Sequence, residues 1–257
     1  MQTRRPKPRL HLGDRVPRAM RWGLAGLLIA GAVGTATVWR HRQTAYHLAR
    51  LIWDRWTLPD LPQDIPSYAC PGAPWRLPTS GVLGVLWRDT RVPPYGPDHP
   101  HTGLDLFGRG REHTVPVYAV ADGLLTRLSG WRSAVAIQHD DPLRSGEKVW
   151  SYYAHMASGT GRSYIVGSYP AGAAGVPVVA GQLLGHQGVW SGNPLLPGWM
   201  HLHFSVIRAG PDGAFLNETI LASTLDPSPY LGIIGDADSG IPNWQPVRCQ
   251  SGEPGPD

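Results

Sequence analysis

The sequence predicts an all-β domain that follows one N-terminal transmembrane helix. Gly occurs 32 times and Pro 26 times in 257 residues, a composition that favours short strands and turns over long helices. From residue 78 onward, short apolar runs such as VLGVLW, AVAIQH and HLHFSVI alternate with Gly, Pro and Asp. An uncharged stretch of 18 residues lies apart from these runs, at residues 22–39.

Residues 22–39 have the length and the flanks of a membrane-spanning helix. At about 1.5 Å per residue they reach roughly 27 Å, close to the ~30 Å thickness of a bilayer's hydrocarbon core. Trp22 and Trp39 mark its ends, and the basic residues before it favour a cytoplasmic N-terminus. The alternative is a secretory signal cleaved after Ala36, where small residues are suitably spaced. Both predict that the C-terminal part lies outside the cytoplasm, either anchored to the cell membrane or secreted.

The charges argue against a nucleic-acid partner. Residues 1–42 hold nine Lys and Arg against one acidic residue, whereas the remaining chain holds 14 basic and 18 acidic residues and carries a net charge of −4. The exported part therefore has no basic run that could follow a phosphate backbone.

Five segments are predicted along the chain. Residues 1–21 are a basic cytoplasmic tail before the helix at 22–39, and residues 40–77 read as an amphipathic stalk followed by a proline-rich linker. Residues 78–232 form the predicted β-domain, and residues 233–257 an irregular tail.

Local signals predict three connections and one crosslink. The sequence VADG at residues 120–123 indicates a tight hairpin, residues 141–146 a longer loop between two strands, and residues 157–175 an exposed loop. Cys70 and Cys249 lie near the two ends of the domain, and in an oxidising compartment we expect them to pair. Two unpaired buried thiols are the alternative.

Histidines carry the chemical signal. The chain contains 11 of them, and four fall in the motifs HTGLD, YAH and HLHF, which begin at residues 101, 153 and 201. Because side chains alternate along a strand, His201 and His203 should share one face while Leu202 and Phe204 face the core. One imidazole can then bind a metal while the other does acid–base work.

His101 and Asp105 complete a plausible metal-ligand set. Gly103 between them predicts a turn that leads into the strand LDLF. Two imidazoles and one carboxylate make a three-ligand zinc site whose fourth position is open to water. Zinc lowers the pKa of such a water toward ~7 and polarises a carbonyl group.

These motifs, in this order, resemble the lysostaphin-type family of zinc murein endopeptidases. The segments TVPVYAVADG, VAGQLLGHQG and LDPSPYL are also similar to that family, and the resemblance covers about residues 78–232. It implies an antiparallel β-sandwich or open-barrel-like peptidase domain and one zinc ion. The residues to which it assigns roles are His101, Asp105 and His203 as zinc ligands, His155 and His201 as catalytic groups, and Tyr95 as a transition-state donor.

The implied function is zinc-dependent hydrolysis of peptide bonds in peptidoglycan stem peptides or crossbridges, for wall remodelling. A catalytically silent module that binds wall or recruits a partner is the alternative on the same fold, and a protein regulator is possible. The long apolar loop SGNPLLPGWM departs from the family pattern, so the bond cleaved stays open. The remaining histidines of the domain are expected in loops, a strand and a turn, with His99 as the one competing ligand: His99, His113, His139 and His186.

Overall fold

The computed structural model describes residues 69–240 and 243–251, so the predicted helix at 22–39 lies outside the described residues. No helix within the described ranges is long and apolar enough to cross a membrane. Eleven strands and one short α-helix are found in these ranges. They are β1 Val82–Val85, β2 Leu104–Phe107, β3 Pro116–Tyr118, β4 Gly123–Thr126, β5 Val135–Asp140, β6 Lys148–Ala154, β7 Val176–Val178, β8 Leu183–His186, β9 Leu202–Arg208, β10 Thr224–Leu225, α1 Ser228–Leu231 and β11 Gln245–Pro246.

Nine of these strands form one sheet in the order β11-β1-β2-β9-β6-β5-β4-β7, with β10 paired to β9 outside that path. Strands β3 and β8 form a separate two-stranded sheet. The pairs between these strands are antiparallel. The all-β prediction is therefore confirmed.

The central strands β2, β9 and β6 alternate between a core face and a site face. Leu104, Leu202, Phe204 and Tyr153 are fully buried in the main hydrophobic core. The alternation of HLHF was predicted correctly, since Leu202 and Phe204 turn inward as their neighbouring histidines turn outward. The sheet therefore presents polar groups on one face from a rigid, apolar base.

The predicted hairpin at residues 120–123 is wrong. Strands β3 and β4 on either side of it do not pair, because β3 joins β8 in the small sheet while β4 lies between β5 and β7 in the large one. The Asp122 carboxylate accepts the Ala180 N–H at 2.8 Å, and the Asp122 carbonyl accepts a hydrogen bond from His139. These bonds turn the chain from one sheet to the other. The predicted loop between β5 and β6 is confirmed.

The segment at 157–175 is less exposed than predicted. Tyr164, Ile165 and Tyr169 are buried within it. The Arg127 guanidinium donates to the Tyr169 carbonyl at 2.7 Å and so holds this segment against the domain. The prediction of an exposed loop rested on the Gly, Ala and Ser content of the segment and overlooked these three large buried side chains.

Both ends of the described chain join the core. Strand β11 extends the large sheet by pairing with β1, where an irregular tail was expected. Cys70 and Cys249 are bonded to each other, which confirms the expected disulfide. Trp75 packs on Tyr230, with ring centroids 4.6 Å apart.

Loss of the disulfide should destabilise the domain. Because the bond joins residues 179 positions apart, it restricts the unfolded chain strongly. We expect the variant with both Cys70→Ser and Cys249→Ser to lose about 2–4 kcal/mol of unfolding free energy in urea titrations. Reduction of the wild-type protein is the control and should give the same loss. An unchanged unfolding free energy would contradict the prediction.

Acid should weaken the fold through His139. Burial lowers the pKa of His139 from its ordinary 6.5 to about 4. As the pH falls from 6.5 to 4, the unfolded chain takes up a proton on this ring that the folded chain refuses, so stability is lost in that window by up to about 3 kcal/mol. In metal-free protein, urea titrations should show a smaller loss for His139→Gln than for wild type. The exposed His99→Gln control should lose as much as wild type.

Candidate metal centre

The pairing of β2 with β9 places Asp105 directly opposite His203. The flanking pair, Leu104 and Phe204, is buried on the core face, so both polar side chains project from the other face. The Asp105 Oδ1 atom lies 2.9 Å from His203 Nδ1. Two of the predicted ligands are thus set by strand register alone.

His101 enters from the segment before β2. Its Nδ1–H donates to the Leu86 carbonyl at 3.0 Å, which leaves Nε2 as the ring's free acceptor. That Nε2 atom lies 3.1 Å from Asp105 Oδ1 and 3.0 Å from His203 Nδ1. Gly103 permits this approach, because a Cβ there would overlap the Phe204 carbonyl and the Ser205 hydroxyl.

The three donor atoms fit a tetrahedral zinc ion. They lie 2.9–3.1 Å from one another, and ligand atoms bound to zinc at about 2.0–2.2 Å stand roughly 3.3–3.5 Å apart. In the metal-free protein His203 Nδ1–H donates to Asp105, and a bound metal would replace that proton while Nε2–H donates to the Ser205 hydroxyl at 2.8 Å. Lone pairs from two imidazoles and one carboxylate then converge in a buried space, where a cation would neutralise them.

The electrostatics separate the carboxylate from the nearby imidazoles. Burial raises the pKa of Asp105, but His101 and His201 nearby, with hydrogen bonds from His101 and His203, hold that pKa well below its ordinary range. Burial also opposes charge on His203, yet its hydrogen bond to Asp105 raises the pKa of His203 overall. Asp105 therefore stays ionised.

His155 and His201 lie together beside these donors. Their ring centroids are 4.4 Å apart, and His201 Nε2 is 3.7 Å from Asp105 Oδ1. Each donates Nδ1–H to a backbone carbonyl, His155 to Trp190 at 2.6 Å and His201 to Trp199 at 2.7 Å. Both Nε2 atoms are consequently free to accept a proton.

Burial keeps both of these rings neutral. Burial, together with the neighbouring His201 and His203, lowers the pKa of His155 to about 3. Burial also lowers the pKa of His201, against the opposing effect of Asp105. A neutral imidazole is the form that can act as a general base.

The structure thus brings all five predicted site residues into one centre. The competing ligand His99 instead lies in a groove next to Tyr95, with ring centroids 6.1 Å apart. His113 and His186 contact each other, their centroids 4.6 Å apart. His139 belongs to the core, where its Nε2 meets the Ser151 hydroxyl at 2.7 Å.

A groove of about 310 Å³ opens beside the centre. Tyr95, which the sequence predicted as a site residue, lines this groove, and its ring centroid lies 4.6 Å from that of His101. Burial raises the pKa of the Tyr95 hydroxyl, and the charges of Asp105 and Glu218 raise it further. The loop after Trp190 also lines the groove.

Two further residues of the groove, Tyr152 and Glu218, were not predicted from the sequence, because they belong to no motif. Tyr152 could have been found from the alternation of β6, whereas Glu218 lies in a loop without a pattern.

Comparison with known proteins gives structural matches only. No family model matches the chain, and no curated protein matches it. Solved structures do match, among them the peptidase lysostaphin from Staphylococcus simulans, which is 19% identical over 58% of this chain and 48% of that one, with a TM-score of 0.34. The chain is similar to lysostaphin-type M23 peptidases.

Two further matches come from other bacteria. The M23 protein EnpA from Enterococcus faecalis is 23% identical over 58% of this chain and 92% of the matched catalytic domain, with a TM-score of 0.30. A Pseudomonas aeruginosa protein assigned to peptidase family M23 is 21% identical over 75% of this chain and 62% of that one, with a TM-score of 0.34. The chain spans about half the length of the lysostaphin structure.

Gly188 contacts the backbone next to both His155 and His201. Its carbonyl accepts the His201 N–H at 3.2 Å. On its other side, a Cβ atom would overlap the backbone of His155 and Ala157. His155 itself adopts a left-handed backbone conformation with φ 69°, so this turn tolerates little displacement.

Substitution of Gly188 should therefore disturb His155 and His201 more than the metal ligands. We expect Gly188→Ala to lower the unfolding free energy by about 1–3 kcal/mol and to reduce any turnover, while bound metal is retained. Urea titration, a peptide-hydrolysis assay and elemental analysis measure these three effects. Gly167→Ala is the matched control, because no atom lies within 4 Å of the added Cβ. Loss of metal from Gly188→Ala would contradict the expectation.

Proposed function

We propose that this chain is a zinc-dependent endopeptidase that hydrolyses peptide bonds in peptidoglycan stem peptides or crossbridges. One observation carries the proposal: three converging donor atoms stand beside two neutral imidazoles whose Nε2 atoms are free. The motifs HTGLD, YAH and HLHF, which resemble those of the lysostaphin-type family, support the wall peptide as the substrate class. Remodelling of the producer's own wall is the proposed role.

The zinc ligands in this proposal are His101 Nε2, Asp105 Oδ1 and His203 Nδ1. A bound zinc ion supplies a Lewis acid that polarises the scissile carbonyl and lowers the pKa of the attacking water. Ser205 and the Leu86 carbonyl orient the two imidazole ligands through their second nitrogens. The donor atoms have to separate by only a few tenths of an ångström, at roughly 3.3–3.5 Å, to match zinc ligands.

His155 and His201 are the proposed proton-transfer groups. One Nε2 atom accepts the proton of the attacking water, and the resulting imidazolium is held by the carbonyl that already accepts its Nδ1–H. That ring can then pass the proton to the leaving nitrogen, and until it does so the new Nε2–H can donate a hydrogen bond to the oxygen that becomes negative. The proposal assigns the accepting role to neither ring alone, because both have a free Nε2 and their centroids are 4.4 Å apart.

Tyr95 is proposed as a further donor to that oxygen. Because burial and nearby carboxylates raise the pKa of its hydroxyl, the group keeps its proton at neutral pH. It lines the same groove as His155 and His203. A neutral hydroxyl there stabilises negative charge as it develops.

The proposed location is outside the cytoplasm. An anchor at residues 22–39 would hold the domain on the outer side of the cell membrane, and cleavage after Ala36 would instead release it. The bond between Cys70 and Cys249 supports an oxidising compartment under either alternative.

Metal content and turnover should respond differently to two substitutions. We expect residues 69–257 to bind one zinc ion per chain and to release new amino groups from purified walls. His203→Ala should lose both zinc and turnover. His155→Ala should retain zinc and lose turnover at least about a hundredfold, because it removes only a proton-transfer group. Elemental analysis and amine labelling make the two measurements.

His113→Ala is the control and should keep both zinc and turnover, since this ring contacts His186 and Tyr164 rather than the centre. Zinc without turnover on directly crosslinked and glycine-bridged walls would favour the catalytically silent wall-binding module. Absence of zinc would contradict the proposed ligand set.

A further inference from the structure

Glu218 places a carboxylate in the groove beside the metal centre. Its side chain is 23% exposed, and its Oε2 atom lies 3.9 Å from His203 Nε2. The residues that line the groove in the described part of the chain include no Lys or Arg. Among the described residues that line the groove, Glu218 therefore has no Lys or Arg as a partner.

The loop that bears Glu218 is fixed to the sheet. Phe215 packs on Trp150 and Tyr152, with ring centroids 5.5 Å and 5.9 Å apart. The Gly213 carbonyl accepts hydrogen bonds from Gln138 Nε2 at 2.7 Å and from Trp150 Nε1 at 3.0 Å. These contacts hold residues 213–215, at the start of the loop that bears Glu218, on the sheet.

Orientation of His203 does not require Glu218. The distance of 3.9 Å exceeds that of a hydrogen bond, and the Ser205 hydroxyl already lies 2.8 Å from the same Nε2 atom. Tyr95 and Tyr152 line the same groove, and their hydroxyl oxygens can accept hydrogen bonds. A carboxylate beside neutral acceptor oxygens makes a pocket suited to a primary ammonium group.

We propose that Glu218 binds a primary ammonium group of the substrate next to the scissile bond and so selects peptides with a free amine. The inference rests on the proposed function, because it names the substrate class of that groove. The ammonium belongs either to the side chain of a diamino acid or to the amino terminus of an unlinked bridge.

Binding tests the inference without turnover. The zinc-loaded His155→Ala variant of the full chain is titrated with two soluble crosslinked muropeptide preparations, each before and after N-acetylation. The directly crosslinked preparation carries its free amine on a diamino acid, and the glycine-bridged preparation carries it at a bridge end. We expect acetylation to weaken binding of one preparation about tenfold or more, which also identifies the source of the amine.

Addition of Glu218→Gln to this variant should weaken binding of the unmodified preparation to the level of the acetylated one and abolish the difference. Glu112→Gln is the matched control, because that carboxylate accepts a hydrogen bond from Tyr164 and does not line the groove. It should leave the difference intact, and zinc content should remain one per chain in every variant.

Three results would overturn the inference: equal affinity for acetylated and free amines, equal weakening of both by Glu218→Gln, or loss of zinc from Glu218→Gln. The last would make Glu218 a support for His203. Failure of the proposed function gives a different result, since zinc-loaded wild-type protein would then cleave neither preparation even where binding depends on Glu218 and on the amine.

Discussion

The pairing of Asp105 on β2 with His203 on β9 is the constraint on which the site depends. Its register is fixed because Leu104 and Phe204 occupy the neighbouring paired positions in the core. A slip of one residue would turn these apolar side chains toward the site and the polar ones into the core. The apolar core therefore fixes the spacing of the donor atoms as well as the stability of the sheet.

One buried carboxylate also determines how the neighbouring histidines differ. Asp105 raises the pKa of His203, its direct partner, whereas burial outweighs its more distant effect on His155 and His201. Hydrogen bonds to the backbone carbonyls of Trp190 and Trp199 then place the ring proton of His155 and of His201 on Nδ1. Three identical side chains thus differ in their pKa through burial, their distance from Asp105 and the hydrogen bonds of their ring nitrogens.

The sequence could predict features that depend on local periodicity but not those that depend on distant partners. Alternation along HLHF gave the faces of Leu202 and His203, and Gly103 gave the turn into β2. The chain does bend near residues 120–123, but no local sequence pattern could show that the strand after the bend pairs with β5 and β7. Tyr169 and Glu218 were missed for the same reason, because a loop position acquires its burial or charge environment only from elements remote in sequence.

Under the proposed function, the reaction and the selection of substrate belong to different parts of the fold. The donor atoms and proton-transfer groups belong to paired strands and their immediate ends, where the register fixes them. Glu218 belongs to the connection between β9 and β10, and Phe215 holds this connection on the site face of the sheet. A change of side chain at position 218 can therefore alter which peptide binds while the pairing of Asp105 with His203 stays intact, so specificity can change without loss of the centre that would perform the reaction.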